Sequence, residues 1–206
     1  MKVLLINGSP HKDGCTMRAL EEVASELNKN SVETEFFHIG TKPVAGCIAC
    51  GNCRKTGSCI FSDDGVNHCN RIMKDCQGLI IGAPVHYASP AGAATAFFDR
   101  LFYSGSSFAF KPGAAVVSAR RAGTTASLDM LNKYFLISQM PLVSSCYWNM
   151  VHGSNKSDVE KDEEGLQTMR QLGRNMAWML KLIKAGLDSG ISLPEVEDKI
   201  RTNFIR

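Results

Sequence analysis

The chain has no run of Lys or Arg and no basic stripe interleaved with aromatics. Its net charge of +3 arises from 23 basic and 20 acidic side chains scattered over 206 residues. That balance argues against a nucleic-acid partner. No apolar stretch approaches the roughly 20 residues that span a bilayer, so no membrane partner is expected. The first apolar run, Val3–Ile6, is too short for a signal-peptide core. There is no internal repeat and no low-complexity segment. Two nucleotide-binding signatures are also missing: no Lys precedes Thr16 to make G-x-x-x-x-G-K-[ST], and there is no G-x-G-x-x-G. A soluble cytoplasmic protein is the expected class, and 44% hydrophobic residues suffice for one buried core. Cysteine, with eight copies, is the exception to these shortages. The cytosol keeps thiols reduced, so a disulfide framework is not expected.

What is present alternates between short apolar runs and helical patterns. Val3–Ile6 runs into Asn7-Gly8-Ser9-Pro10-His11, after which Met17, Leu20, Val23, Ala24 and Leu27 recur at helical spacing. Val32–His38 reads as a second strand. Gly78–Ala83 and Ala114–Ser118 read as strands buried on both faces. Pro141–Ser145 reads as the last strand, with Ser157 or Asp158 capping a long final helix. Asp63 and Asp64 cap a helix whose Val66, Cys69, Ile72, Met73 and Cys76 share one face, which makes Cys69 and Cys76 core residues. The expected fold is α/β: a doubly wound, five-stranded parallel sheet with helices on both faces, in the flavodoxin-like order. One domain is expected over residues 1–190, with a cysteine-rich loop at 40–64 and a charged tail at 191–206.

In such a sheet the ligand sits beyond the C-terminal strand ends, where three loops would converge. The first, Asn7–Cys15, opens a helix, whose unpaired N–H groups attract anions. Ser9 and Thr16 add hydroxyls; His11 and Lys12 add positive charge. The second strand ends at Phe37-His38-Ile39-Gly40 without the carboxylate that a dinucleotide ribose needs, so a phosphate monoester such as FMN fits better. The second loop, Pro84–Val85–His86–Tyr87, offers main-chain groups and an aromatic face to a flat heterocycle. His86 is a proton donor there or an exposed loop residue. Arg120 and Arg121 follow the fourth strand, either solvated or placed to stabilise reduced flavin.

The segment 40–64 holds Cys47, Cys50, Cys53 and Cys59. A loop of that length is uncommon in a compact domain unless it is functional. Thiols at i, i+3 and i+6, with a fourth after the turn at Gly57, suit one [4Fe–4S] cluster. Tetrahedral zinc is the first alternative and bare redox thiols the second.

Taken together, Gly8-Ser9-Pro10-His11…Gly14-Cys15-Thr16, Ala83–Pro90 and Ser118–Thr124 resemble the NADPH-dependent FMN reductase group of flavodoxin-like proteins. With the four loop cysteines added, the chain is most similar to the iron–sulfur flavoprotein branch. The resemblance implies an FMN-dependent oxidoreductase, or electron carrier, that forms a homodimer or a tetramer. It places the phosphate on Ser9, His11, Cys15, Thr16 and Met17, and the ring on Pro84, Val85, His86, Tyr87, Ser118, Arg120, Arg121, Ala122 and Gly123. Position 11 is often Arg and position 15 often Asn in that group; here they are His and Cys. The expected donor is NAD(P)H or a ferredoxin-like protein, and the acceptor a small molecule. The other readings are a cluster-free NAD(P)H-dependent reductase and a non-catalytic redox sensor or zinc-stabilised binding module.

Overall fold

A computed structural model of the chain describes residues 1–105, 108–200, 202 and 204. Five parallel strands form the body of the sheet: β1 (Lys2–Asn7), β2 (Glu33–His38), β3 (Gly78–His86), β5 (Gly113–Ala119) and β6 (Met150–His152). Their order is β2-β1-β3-β5-β6, and the two-residue β4 (Ser89–Pro90) folds back antiparallel on β3. The helices are α1 (Cys15–Lys29), α2 (Asn52–Thr56), α3 (Val66–Lys74), α4 (Gly92–Ser104), α5 (Thr124–Ile137), α6 (Lys156–Val159) and α7 (Glu163–Asp188).

The strands alternate between two cores, as period-two geometry requires. Leu4, Ile6, Leu79, Ile81, Ala115 and Val117 face a core completed by α3, α4 and α5. Val3, Leu5, Ile80, Ala114 and Val116 face the other, completed by α1 and α7. Each fully buried aliphatic side chain contributes about 1.5–3 kcal/mol relative to exposure. Both faces are therefore covered, which explains why β1, β3 and β5 read as continuous apolar runs. Charge pairs join α1 to α7: Glu22 with Arg170 at 2.6 Å and Glu26 with Arg174 at 3.0 Å.

Cys69 and Cys76 are fully buried as expected, Cys69 on α3 but Cys76 two residues beyond the end of that helix, in the turn into β3, and not on its face. Burial pushes both thiols up from their ordinary pKa.

Three expectations are corrected. The fifth strand is Met150–His152, not Pro141–Ser145. The latter segment makes one bridge, Leu142 with Gly113, then leaves the sheet. Ser145 Oγ bonds Tyr147 O and Asn149 Oδ1, both at 2.7 Å, a local turn that competes with the strand ladder. The final helix starts later than Ser157. Asn155 caps the short α6, and α7 is capped by Asp162, whose Oδ1 accepts from Gly165 N at 3.0 Å. Finally, the residue before α3 is Gly65 rather than Asp63 or Asp64, although Asp64 Oδ1 still accepts from Val66 N at 3.4 Å while its carboxylate also meets Arg100. The segment 191–200 has no regular secondary structure; positions 201, 203, 205 and 206 of the expected tail lie outside the described residues.

Candidate functional site

Two separate sites emerge. The first is a cleft of about 480 Å³ at the C-terminal strand ends, within the range of small-molecule pockets. The β1–α1 turn supplies its floor. Gly8 N donates to Gly82 O at 2.7 Å, and an added Cβ at Gly8 would stand 2.7 Å from that oxygen and 2.9 Å from Ala94 Cβ. Only glycine fits so close an approach. Buried Asn7 then organises the turn: its Oδ1 accepts from Ser9 N, and its Nδ2 donates to His11 O and Lys12 O. His38, at the end of β2, donates through Nε2 to Ser9 O at 2.8 Å.

The helix that follows opens without a side-chain cap and without an acidic residue in its first turn. Arg18 N is bonded to Gly14 O, so the N–H groups of Cys15, Thr16 and Met17 precede that step of the ladder at the edge of the cleft. This is an anion-binding arrangement. The Thr16 hydroxyl is turned to Ser118 Oγ at 2.8 Å, tying α1 to β5. Ser9 Oγ accepts from His11 N at 3.1 Å.

The cleft brings together Ser9, His11, Cys15, Thr16, Pro84, Val85, Ser118 and Arg120 of the sequence-predicted set. Met17, His86, Tyr87, Arg121, Ala122 and Gly123 are not among the residues that line it. Tyr87 is fully exposed at the β3–β4 turn, where Tyr87 and Ala88 both have positive φ. That is a two-residue hairpin tip of the primed type, and it aims the ring at solvent. Gly123, at φ +90°, packs under it; a Cβ there would stand 2.6 Å from Ala88 Cα.

Four residues the sequence reading missed also line the cleft: Gly153, Ser154, Asn155 and Lys156. They follow β6, and misplacing that strand hid them. The signal was present, since His152-Gly153-Ser154 repeats the strand–Gly–Ser pattern of Asn7-Gly8-Ser9. Cys15 Sγ donates to Gly153 O at 3.4 Å, and Lys156 pairs with Asp13 at 2.6 Å. Burial raises the Cys15 thiol above its ordinary pKa.

The second site is a cavity between the cysteine loop and α4, lined by Cys47, Cys50, Cys53 and Cys59 with Arg100, Tyr103 and Ser104. It shares no lining residue with the cleft. Helix α2 rests on the end of α4: Cys53 Sγ donates to Tyr103 O at 3.7 Å, and Arg54 donates to the Tyr103 hydroxyl at 2.6 Å. Cys59 N donates to Asn67 Oδ1 at 2.8 Å, fixing the loop's exit to α3. Cys47 and Cys50 are exposed; Cys53 and Cys59 are half-buried. Among the described residues no three His, Cys, Asp or Glu converge closely enough to hold a metal ion as they stand. The donor set nonetheless fits a four-thiolate group in number and kind, since all four thiols of one loop border one cavity.

Among the described residues no helix is long and apolar enough to cross a membrane.

Residues 1–155 match the family model described as NADPH-dependent FMN reductase. An iron-sulfur flavoprotein of Methanocaldococcus jannaschii is 31% identical over 193 residues, covering 89% of this chain and 100% of its own. An iron-sulfur flavoprotein of Methanosarcina thermophila is 28% identical over 193 residues, covering 91% of this chain and 100% of its own. Among solved structures, a flavodoxin, WrbA-like protein of Agrobacterium tumefaciens superposes with a TM-score of 0.63 at 16% identity, covering 88% of this chain and 98% of its own.

Proposed function

Because the chain belongs to the NADPH-dependent FMN reductase family, and is thus an FMN-dependent oxidoreductase, we propose that it relays electrons between FMN in the strand-end cleft and a [4Fe–4S] cluster on Cys47, Cys50, Cys53 and Cys59. When bound, FMN takes electrons singly or in pairs and a cluster takes them one at a time, which suits a relay between a hydride donor and a one-electron partner. The donor is a nicotinamide, as the family's description suggests, or a ferredoxin-like protein. The acceptor is a small molecule or that one-electron partner.

The chain's own groups do the holding. The first-turn N–H groups of Cys15, Thr16 and Met17 take the phosphate, with Ser9 and His11 beside them. Position 15 acts through its main chain, because its thiol is bonded to Gly153 O. Pro84 and Val85 form the wall for the ring. Arg120 supplies positive charge where reduced flavin accumulates negative charge. We assign one domain to 1–190, with 191–206 as a tail, and a homodimer or tetramer as the assembly.

One observation carries the cluster: the four loop thiols border a single cavity, whereas Cys69 and Cys76 lie in the core. The test is metal and flavin analysis of anaerobically purified protein. About one FMN per chain is expected for the single switch-point site, with about four iron and four sulfide for one cubane. One zinc without sulfide would make the loop a structural site. Neither metal after reconstitution would leave a flavin reductase with a free thiol loop.

A further inference from the structure

The proposed relay makes no use of Arg100, yet among the described residues it is the largest fully buried side chain, 1% exposed. It projects from α4 into the wall of the cysteine cavity. Burying a guanidinium is costly unless its charge is paired and its N–H groups are bonded. Here every arm has a partner. Nη1 and Nη2 grip the Asp64 carboxylate, the latter at 3.1 Å. Nη1 also donates to Ala45 O at 3.2 Å, and Nη2 to Phe61 O at 3.4 Å. Nε donates to Cys59 Sγ at 3.2 Å. The Phe61 ring covers the group, with its centroid 4.8 Å from Cζ.

These partners have a pattern. Ala45 precedes the first loop cysteine; Phe61 and Asp64 follow the last. A single planar fork thus closes both ends of the loop and touches the fourth sulfur. Lysine, a point charge without the fork, could not serve these directions at once.

We propose that Arg100 is the positioning residue of the cysteine site. It fixes the Cys59 sulfur and both loop ends, and its Nε–H stays a donor to that sulfur when the thiols hold a cluster. The proposal rests on the cluster reading above. Hydrogen bonds to ligand sulfurs stabilise the added negative charge of the reduced state and so raise the reduction potential.

The test uses anaerobically reconstituted wild-type protein, Arg100→Lys and Arg100→Met. FMN content and thermal midpoint report the fold independently of the cluster. The measurements are the rate of iron loss to a chelator and the cluster midpoint potential from an EPR-monitored titration. Both variants should keep FMN, lose iron about 10–100-fold faster, as when outer-shell partners are removed, and show a lower potential, with Met below Lys. Should Arg100→Met fail to fold, Arg100→Lys decides alone, since it keeps a cation opposite Asp64. Wild-type iron retention and potential in the variants overturn the proposal. Faster iron loss at an unshifted potential also overturns it, reducing Arg100 to a prop of the loop. Wild-type protein without iron overturns the cluster reading and this proposal together, the one outcome in which both fail.

Discussion

The cleft at the strand ends is held by main-chain hydrogen bonds to a rigid sheet, whereas the cysteine loop is held by side chains reaching from α3 and α4. In the cleft, Gly8 sits against Gly82, Asn7 staples the turn, and α1 opens with donors already aimed. Little order remains to be gained when an anion arrives. In the loop, two of four thiols are exposed and α2 buries none of its residues. The loop is held by side-chain hydrogen bonds with Asn67 and Arg100 rather than by a core of its own. A cleft built on main-chain bonds and a loop held by side chains stand in the same chain.

Substitutions in the two sites should have different consequences. The largest effect is expected from changing Cys47, Cys50, Cys53 or Cys59 singly to Ser. Iron and sulfide should be lost or sharply reduced while about one FMN per chain remains, and Cys69→Ala should leave iron unchanged. Loss of FMN in any loop variant would show that the two sites are not independent. Next in size is Gly8→Ala, which forces a Cβ against Gly82 O and Ala94 Cβ. Overpacking of this kind costs about 1–3 kcal/mol, and a chain of this length loses about 2–4 °C of Tm for each of them. Gly46→Ala, with nothing within 4 Å, should leave Tm unchanged.

A smaller effect separates the two arginines. Arg120 lines the cleft and Arg121 does not. Arg120→Ala should remove about 1–2 kcal/mol of preference for reduced flavin, lowering its two-electron potential by about 20–45 mV. Arg121→Ala should leave it in place; equal shifts would return the pair to general surface charge.

The smallest is a difference in thiol chemistry. In cluster-free protein, Cys15 should alkylate more slowly than exposed Cys47 and Cys50. Only the thiolate reacts, and burial disfavours the thiolate of Cys15, raising its pKa. Its rate should therefore keep climbing as pH rises past about 8.5, the ordinary thiol value. Per-residue mass spectrometry after timed iodoacetamide treatment reads this directly.

Where the signal was local, the sequence was legible. Continuous apolar runs marked β1, β3 and β5, and helical spacing placed Cys69 inside; Cys76 is buried as expected but past the end of α3. The β1–α1 turn was readable because Gly, Ser and Pro punctuate it. Strand β6 was not, because three residues, Met150–His152, make too short a pattern, and Val143 is buried like a strand residue without belonging to one. The hidden strand concealed its loop, and with it the Gly153–Lys156 wall of the cleft. Arg100 was illegible for another reason. Its partners are 36–55 positions distant in sequence, and an Arg amid the helical pattern of α4 reads as a solvated face. Likewise, the positive φ at Tyr87 that turns its ring outward could not be read from residue type.

The grip of Arg100 on Ala45 and Phe61 has a consequence for chain length. With both ends pinned to one helix, the segment Gly46–Ile60 is a closed polymer loop, and its closure entropy grows only with the logarithm of its length. Doubling such a loop costs only about 0.6 kcal/mol. Insertions between the anchors should therefore leave the domain standing, while the anchors themselves cannot move. The segment has the properties of a cassette: its contents should tolerate being lengthened, re-spaced or exchanged without redesigning the sheet that carries it.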